Sequence, residues 1–376
     1  MVIYFNAQYP DFRFPDSKQY DLIAKNVLAG KGFIIRDDRL AERPPLYSLF
    51  MILCGRRPAV IRLAQALLGA VSCVMVYLLA KELFESEGAA KLAAAGMAVE
   101  PFHIFFTSLA LTETLYTLLL LTGMLWLAKV LRCFSIKSAI LVGVFVGLGI
   151  LVRPALLLFP LMLVALLLVI LQDRRQAVKT CGLALAATAL VMLPWVIRNF
   201  LALGAFVPTT TQGGASLWEA NNPKADGGPM MDDPGLWIEE AENLPELERD
   251  RFMKNAALKF IAENPGRFLG LCVRKFVRFW NVVPNFSGYR NPSYMFISAA
   301  SSIPVCLLAA AGILIAWKTD WRGALLCLAP IIYTCALHTV FVGSLRYRVP
   351  VIPYLLCFAA IGLASTLRLD VKTTSD

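Results

Sequence analysis

A handful of charged residues sit where charge is costly, at the edges of apolar runs. Asp16, Arg43, Glu113, Arg153, Arg346 and Arg348 are far apart along the chain. At membrane depth each must be solvated, paired or put to use. A guanidinium group presents a flat fork of donors that matches phosphate oxygens, and a carboxylate nearby can take a proton from an attacking group. Gathered at one depth, they would suit an anionic, lipid-borne substrate. For any one arginine alone, the simpler reading is a stem in lipid with its head in water. Glu113 fits that reading least, because it interrupts Ser108-Leu-Ala-Leu-Thr-Glu-Thr-Leu-Tyr116 between two apolar runs.

Whether these residues meet depends on the elements that carry them. Of 376 residues, 58% are hydrophobic and 16% charged, with mean hydropathy +0.64. Soluble domains are about a quarter charged. A core of this size cannot hide so much apolar surface, so lipid must cover part of it. Runs long enough to span a bilayer lie at 58–81, 88–109, 113–131, 138–153, 155–171, 179–197, 296–316, 323–342 and 349–367. If spans alternate, Lys81, Lys129, Arg132, Lys137, Arg174, Arg175, Lys318, Arg322 and Arg368 share one side, which is cytoplasmic by the positive-inside rule. Arg56, Arg57 and Arg62 run against that rule. Asp16, Glu113 and the four arginines at the edges of apolar runs then fall together at the outer ends of the spans.

This alternation divides the chain into an outer loop (1–57), a transmembrane core (58–197), an outer loop with a surface helix (198–295), further spans (296–367) and a cytoplasmic tail (368–376). Within the second loop, turn-rich sequence gives way to a helix predicted over 246–280. Its Phe252, Phe260, Phe268, Phe276 and Trp280, with basic residues between, place it along the membrane surface.

Composition also excludes several classes. The net charge of +10 is scattered between apolar runs rather than gathered into a stripe, which argues against nucleic acid. Nine cysteines include no CxxC, and the two histidines, His103 and His338, offer no His-rich metal site. The pairs Asp37-Asp38 and Asp232-Asp233 read as solvated loop charges. Glu100 reads either as a cavity residue or as a hydrogen-bonded structural acid, and His103 as a packed residue. Trp218-Glu-Ala-Asn-Asn222 lies in a loop that either contacts substrate or is a solvated turn.

Several short motifs, taken in order, resemble the GT-C glycosyltransferases of the family 39 type, the protein O-mannosyltransferases and lipid A aminoarabinose transferases. They are Asp16-Ser-Lys-Gln-Tyr20, Gly30-Lys-Gly-Phe33, Arg43-Pro-Pro-Leu-Tyr47, Leu111-Thr-Glu113, Leu151-Val-Arg-Pro154, Pro194-Trp-Val-Ile-Arg-Asn199, Asn221-Asn-Pro223 and Arg346-Tyr-Arg348. The resemblance runs from about residue 16 to 355. It implies an all-α polytopic membrane protein with a GT-C transmembrane core of about nine or ten helices and extracytoplasmic juxtamembrane helices.

It further implies an inverting transferase on the outer face of a bacterial-type plasma membrane. The sugar would come from a polyprenyl-phosphate donor and go to a protein, lipid or glycan acceptor. Asp16 would be the catalytic base and Glu113 the second acidic position. Tyr20, Arg43, Arg153, Arg346, Arg348, Asn221 and Asn222 would bind substrate. Such transfer passes through an oxocarbenium-like transition state. A lipid phosphate leaves as an anion, so fixed cations matter more than a general acid. No cofactor is required; two carboxylates could also hold one divalent cation, a point the sequence leaves open. The chain departs from the family pattern at Ser17, where a second acid is usual, and in lacking a large C-terminal soluble domain. Met1–Ala7 is too short to span and has no signal-peptide features, so a first transmembrane helix is expected to be missing upstream. The rival readings are a lipid-linked-sugar transporter or flippase and an inactive scaffold of envelope glycan assembly.

Overall fold

The computed structural model describes residues 2–8, 11–229 and 239–367. All of the regular elements among them are helical. In chain order these are α1 (Val2–Gln8), α2 (Pro15–Leu28), α3 (Pro45–Leu53), α4 (Pro58–Phe84), α5 (Glu87–Val99), α6 (Pro101–Thr107), α7 (Glu113–Arg132), α8 (Ile136–Val152) and α9 (Phe159–Ile170). There follow α10 (Arg174–Leu203), α11 (Gly213–Ala220), α12 (Glu239–Glu242), α13 (Glu246–Glu263), α14 (Pro265–Trp280), α15 (Pro292–Thr319), α16 (Trp321–Val340), α17 (Leu345–Arg348) and α18 (Ile352–Thr366). Among the described residues six segments are long and apolar enough to cross a membrane: α4, α7, α10, α15, α16 and Leu345–Thr366. Two shorter apolar helices, Ile136–Val152 and Pro154–Ile170, accompany them. The protein is a multi-pass, all-α membrane protein.

Two expected helices are broken, each at a proline. The run 88–109 is not one span: α5 ends at Val99 and α6 starts at Pro101, with Glu100 extended between them (φ −68°, ψ 116°). The Glu100 carboxylate accepts the His103 amide at 2.7 Å, capping α6. His103 is buried, with Nε2 3.1 Å from the Val349 carbonyl. The helix expected over 246–280 splits into α13 and α14, with Asn264 (φ −132°, ψ 56°) ahead of Pro265. Proline has no amide to donate and disfavours helical geometry in the residue before it. Asp232-Asp233 and the tail 368–376 lie outside the described residues.

The end of α7, the end of α4 and the α15–α16 turn gather at one end of the bundle. Arg132, at the end of α7, donates to the carbonyls of Glu82 (3.0 Å) and Leu83 (3.1 Å) at the end of α4, and pairs with Glu85. Arg132, Asp320 and Arg322 line a cavity of about 380 Å³ there. Glu113 starts α7 and Arg153 follows α8, so both stand at the opposite end of the bundle.

Helix α15 crosses α18 at closest range through glycines. A Cβ on Gly312 would overlap the Phe358 carbonyl, and one on Gly362 would press on the Leu308 carbonyl. Gly312→Ala should therefore cost about 1–3 kcal/mol through overpacking, read as a lower melting temperature in detergent. Gly266→Ala, at an open helical position, is the control and should hold or raise stability. Equal melting temperatures for both variants would mean that the crossing does not depend on its glycines.

Candidate active site

Helix α2 begins at Pro15, which puts Asp16 in its first turn, where the helix dipole favours a carboxylate. Ser17 Oγ donates to the Ala110 carbonyl (2.6 Å), tying α2 to the turn that leads into α7. Gln65 of α4 also holds that turn, donating to the carbonyls of Thr107 and Leu109 while accepting the Tyr47 hydroxyl at 2.6 Å. Tyr20, one turn beyond Asp16, is buried edge-on against Tyr47, with centroids 5.1 Å apart.

With the turn held, Glu113 opens α7 completely buried. Its Oε1 accepts Arg346 Nε and lies 3.3 Å from Arg153 Nη1; its Oε2 is buried without a hydrogen-bond partner. Arg346 also reaches the other acid, with Nη1 2.8 Å from Asp16 Oδ2. The second Asp16 oxygen is held by Arg43 Nη2 at 2.8 Å, while Arg43 Nε donates to Gln19 Oε1 at 2.8 Å. Three guanidinium groups thus face two carboxylates, leaving net positive charge beside a cavity of about 1090 Å³. Asp16, Tyr20, Arg43, Arg153, Arg346 and Tyr347 all line that cavity. Burial alone would raise the pKa of Asp16, but Arg346 and Arg43 outweigh it and hold the carboxyl at about 2.

A metal would have to use Asp16 and Glu113, and Arg346 bridges that pair. Among the described residues no group of three or more His, Cys, Asp or Glu side chains is placed to hold an ion. The arrangement suits an incoming anion that would compete for the arginines.

Residues 44–198 match the dolichyl-phosphate-mannose-protein mannosyltransferase family. That stretch contains Glu113 and Arg153; Asp16, Arg43 and Arg346 lie outside it. No curated protein sequence matches the chain. Among solved structures, the oligosaccharyltransferase AglB from Archaeoglobus fulgidus, in complex with an inhibitory peptide and a dolichol-phosphate, aligns with TM-score 0.58 at 15% identity. The alignment covers 94% of this chain and 46% of AglB. The same oligosaccharyltransferase tethered to an acceptor peptide aligns with TM-score 0.56 at 17% identity, over 94% and 45%. The chain has a GT-C fold. It spans about half the length of those structures. ArnT from Cupriavidus metallidurans bound to undecaprenyl phosphate aligns over 97% of this chain and 76% of its own at 13% identity, with TM-score 0.46, too distant to add to that.

Within this GT-C fold the residues singled out from sequence divide into two groups. Asp16, Tyr20, Arg43, Glu113, Arg153 and Arg346 come together. Arg348 does not line the cavity. It is buried, donating to the carbonyls of Phe279 (3.3 Å) and Asn281 (2.9 Å) and to Ser302 Oγ (3.2 Å). Asn221 and Asn222 are also buried away from it. Asn221 accepts Lys275 Nζ at 2.8 Å and donates to the Val340 carbonyl at 3.1 Å; Asn222 donates to the Trp218 carbonyl at 2.9 Å. These three hold the loop layer together.

Three further residues, missed from sequence, share the site. Gln19 is one helical turn from Asp16, and that spacing alone marks it as sharing a face. Tyr347 stands between the two arginines of its motif. Its ring is sandwiched by Arg153 (5.3 Å) and by His338, stacked at 4.0 Å. Nothing in the sequence around His338 signals that contact.

Because its value is depressed, Asp16 is ionised at neutral pH. Its stabilising contribution is complete above the unfolded value of 3.8 and is lost as pH falls through about 2. Between those limits the wild-type melting temperature should fall more steeply than that of Asp16→Asn, which has no carboxylate to titrate. Parallel melting curves would mean that the arginines do not hold Asp16.

Proposed function

We propose that this protein is an inverting glycosyltransferase of the cell membrane. On this reading it moves a sugar from a polyprenyl-phosphate donor to a protein, lipid or glycan acceptor on the extracytoplasmic face. The observation that carries the reading is that both oxygens of Asp16 are held by arginines lining the large cavity. The match of residues 44–198 to a mannosyltransferase family, and the dolichol-phosphate complex of AglB, support a lipid-phosphate donor.

The chemistry follows from competition for those arginines. A carboxylate held at about 2 is a weak base, and catalysis favours a value near the working pH. The donor phosphate supplies oxygens that Arg346, Arg43 and Arg153 can hold instead. As they turn to the phosphate, Asp16 loses its cations and gains basicity. It then takes the proton of an acceptor hydroxyl as that oxygen bonds to the anomeric carbon from the side opposite the phosphate. The bond from the anomeric carbon to the phosphate oxygen breaks with its electron pair, and polyprenyl phosphate leaves as an anion stabilised by the same guanidinium groups.

Mass spectrometry of purified protein incubated with polyprenyl-phosphate sugars and candidate acceptors tests this. Wild type should release free polyprenyl phosphate, and Asp16→Asn should lower turnover by a factor on the order of 10²–10⁴ while folding normally. Arg346→Ala should weaken donor binding or slow phosphate departure; normal kinetics would remove it from the site. Equal turnover in wild type and Asp16→Asn would keep the enzyme and reject the base. No release across a broad donor panel would favour a transporter or a scaffold.

A further inference from the structure

A second positive cluster lies on the wall of the same cavity, apart from the Asp16 network. The turn Arg36-Asp-Asp-Arg39 closes through the Arg39 amide on the Arg36 carbonyl (2.9 Å) and the Ile35 amide on the Arg39 carbonyl (3.0 Å). It brings two arginines to one edge of the cavity, where Arg249 of α13 joins them.

Three guanidinium groups there meet two acids that line the cavity, Glu42 and Asp38, and Asp38 also pairs with Arg36 at 3.4 Å. Arg39 is only 4% exposed, yet its Nε and Nη1 are buried without a hydrogen-bond partner. Its nearest acids, Asp38 and Glu42, stand 3.4 and 3.6 Å from Nε. Glu42 is hydrogen-bonded to Arg249. Glu246, the next carboxylate, is taken up by the amides of Leu40 and Ala41 and the Thr211 hydroxyl. Asp37 is exposed and does not line the cavity. Burial and the neighbouring Arg249 charge both push the Arg39 guanidinium down, with Glu42 and Asp38 only partly opposing them. A buried cation with idle donors beside a second cation is stabilised by an anion.

We propose that Arg36, Arg39 and Arg249 form a second oxyanion subsite in this cavity, taking a phosphate or carboxylate group carried by a substrate. The proposal rests on the transferase reading for the identity of that substrate. Glu42 and Arg43 are adjacent, so the subsite continues the wall that holds Asp16. Its occupant is either an acidic group on the acceptor or the second phosphate of a diphosphate donor.

Calorimetric titration of inorganic phosphate into the intact protein in nanodiscs, at fixed ionic strength, tests it without turnover. The titration is run with and without saturating polyprenyl monophosphate. Phosphate should bind even with the lipid present, about tenfold more weakly in Arg39→Gln, and nearly normally in Arg39→Lys. Arg36→Gln, at an exposed position, should weaken it about two- to threefold. It carries the test should Arg39→Gln fail to fold. If polyprenyl diphosphate displaces the phosphate and loses affinity in Arg39→Gln, the donor is the source. If it does neither, the acceptor is.

Phosphate binding unchanged by these substitutions, absent altogether, or abolished by polyprenyl monophosphate would overturn the subsite. Should Arg39→Gln fail to fold, equal phosphate binding by wild type and Arg36→Gln would likewise overturn the subsite. Failure to bind polyprenyl monophosphate or release it from a donor would count against the transferase reading. The effect of Arg39→Gln and Arg36→Gln on phosphate binding in nanodiscs without polyprenyl monophosphate would still decide the subsite.

Discussion

The arrangement at the cavity end of the bundle turns on one side chain. Arg346 joins Asp16 and Glu113, which lie 330 and 233 residues from it, and so fastens α2, α7 and α17 at one point. Glu113 is completely buried, and a carboxylate taken out of water is costly unless a cation is held beside it. The attraction is strong because the surroundings are poor in water, and for the same reason losing either partner is costly, about 3–5 kcal/mol for a buried pair. Every neighbouring element must deliver its charge to that point. The Gln65 brace and the Ser17 bond on the turn before α7 keep Glu113 in register with α2.

The chain carries many arginines, and their partners separate those that build from those that are available for chemistry. Arg198 donates to the carbonyls of Leu40 (2.6 Å) and Phe33 (2.7 Å), and Arg348 to those of Phe279 and Asn281. A guanidinium spent on main-chain carbonyls cannot be drawn off by a ligand without unfastening a loop. Arg43 and Arg346 are held chiefly by carboxylate or side-chain oxygens at a cavity wall. A phosphate can replace an acid there with no change in backbone. Around Arg198, the Trp195 indole donates to the Thr209 carbonyl (2.7 Å), and Asn199 to those of Val207 and Thr209. That motif is a clamp for the loops above the bundle.

The bundle and five of the six meeting residues were legible because both follow from alternation, whereas Tyr20 came from the family resemblance alone and Arg348, placed by the same alternation, does not line the cavity. Apolar runs of spanning length fix which polar residues share an end, and Asp16, Arg43, Glu113, Arg153 and Arg346 shared it. The helix breaks were less legible, because proline carries no single meaning in an apolar run. Pro101 and Pro265 begin new helices, whereas Pro194, Pro304 and Pro330 lie inside continuous ones. A neighbouring helix can satisfy the freed carbonyl in one case and not in another, and the sequence does not say which. The place of Asn221 and Asn222, away from the cavity, was hard to read for a related reason. Short amides beside a turn bond readily to local backbone, and a turn-rich loop reads the same whether or not it faces a substrate. Arg39 was not singled out from sequence, because the turn that buries it depends on Glu246, more than two hundred residues away.

The unequal grip on the two acids explains how the site could rest and act without being rebuilt. Arg346 holds Asp16 through Nη1 and Glu113 through Nε. On the transferase reading, a phosphate drawing away Nη1 leaves Nε anchored to a carboxylate that never sees water. Asp16 therefore gains basicity while the arginine keeps its place, and the change is confined to one end of one side chain. Until a donor arrives, the carboxylate that would serve as base is neutralised on both oxygens, which keeps it from activating water in an empty site. On that reading, net positive charge at rest would draw the lipid phosphate in. The same charge would then meet the leaving phosphate, so that one set of guanidinium groups would serve binding, release of the base and departure of the product.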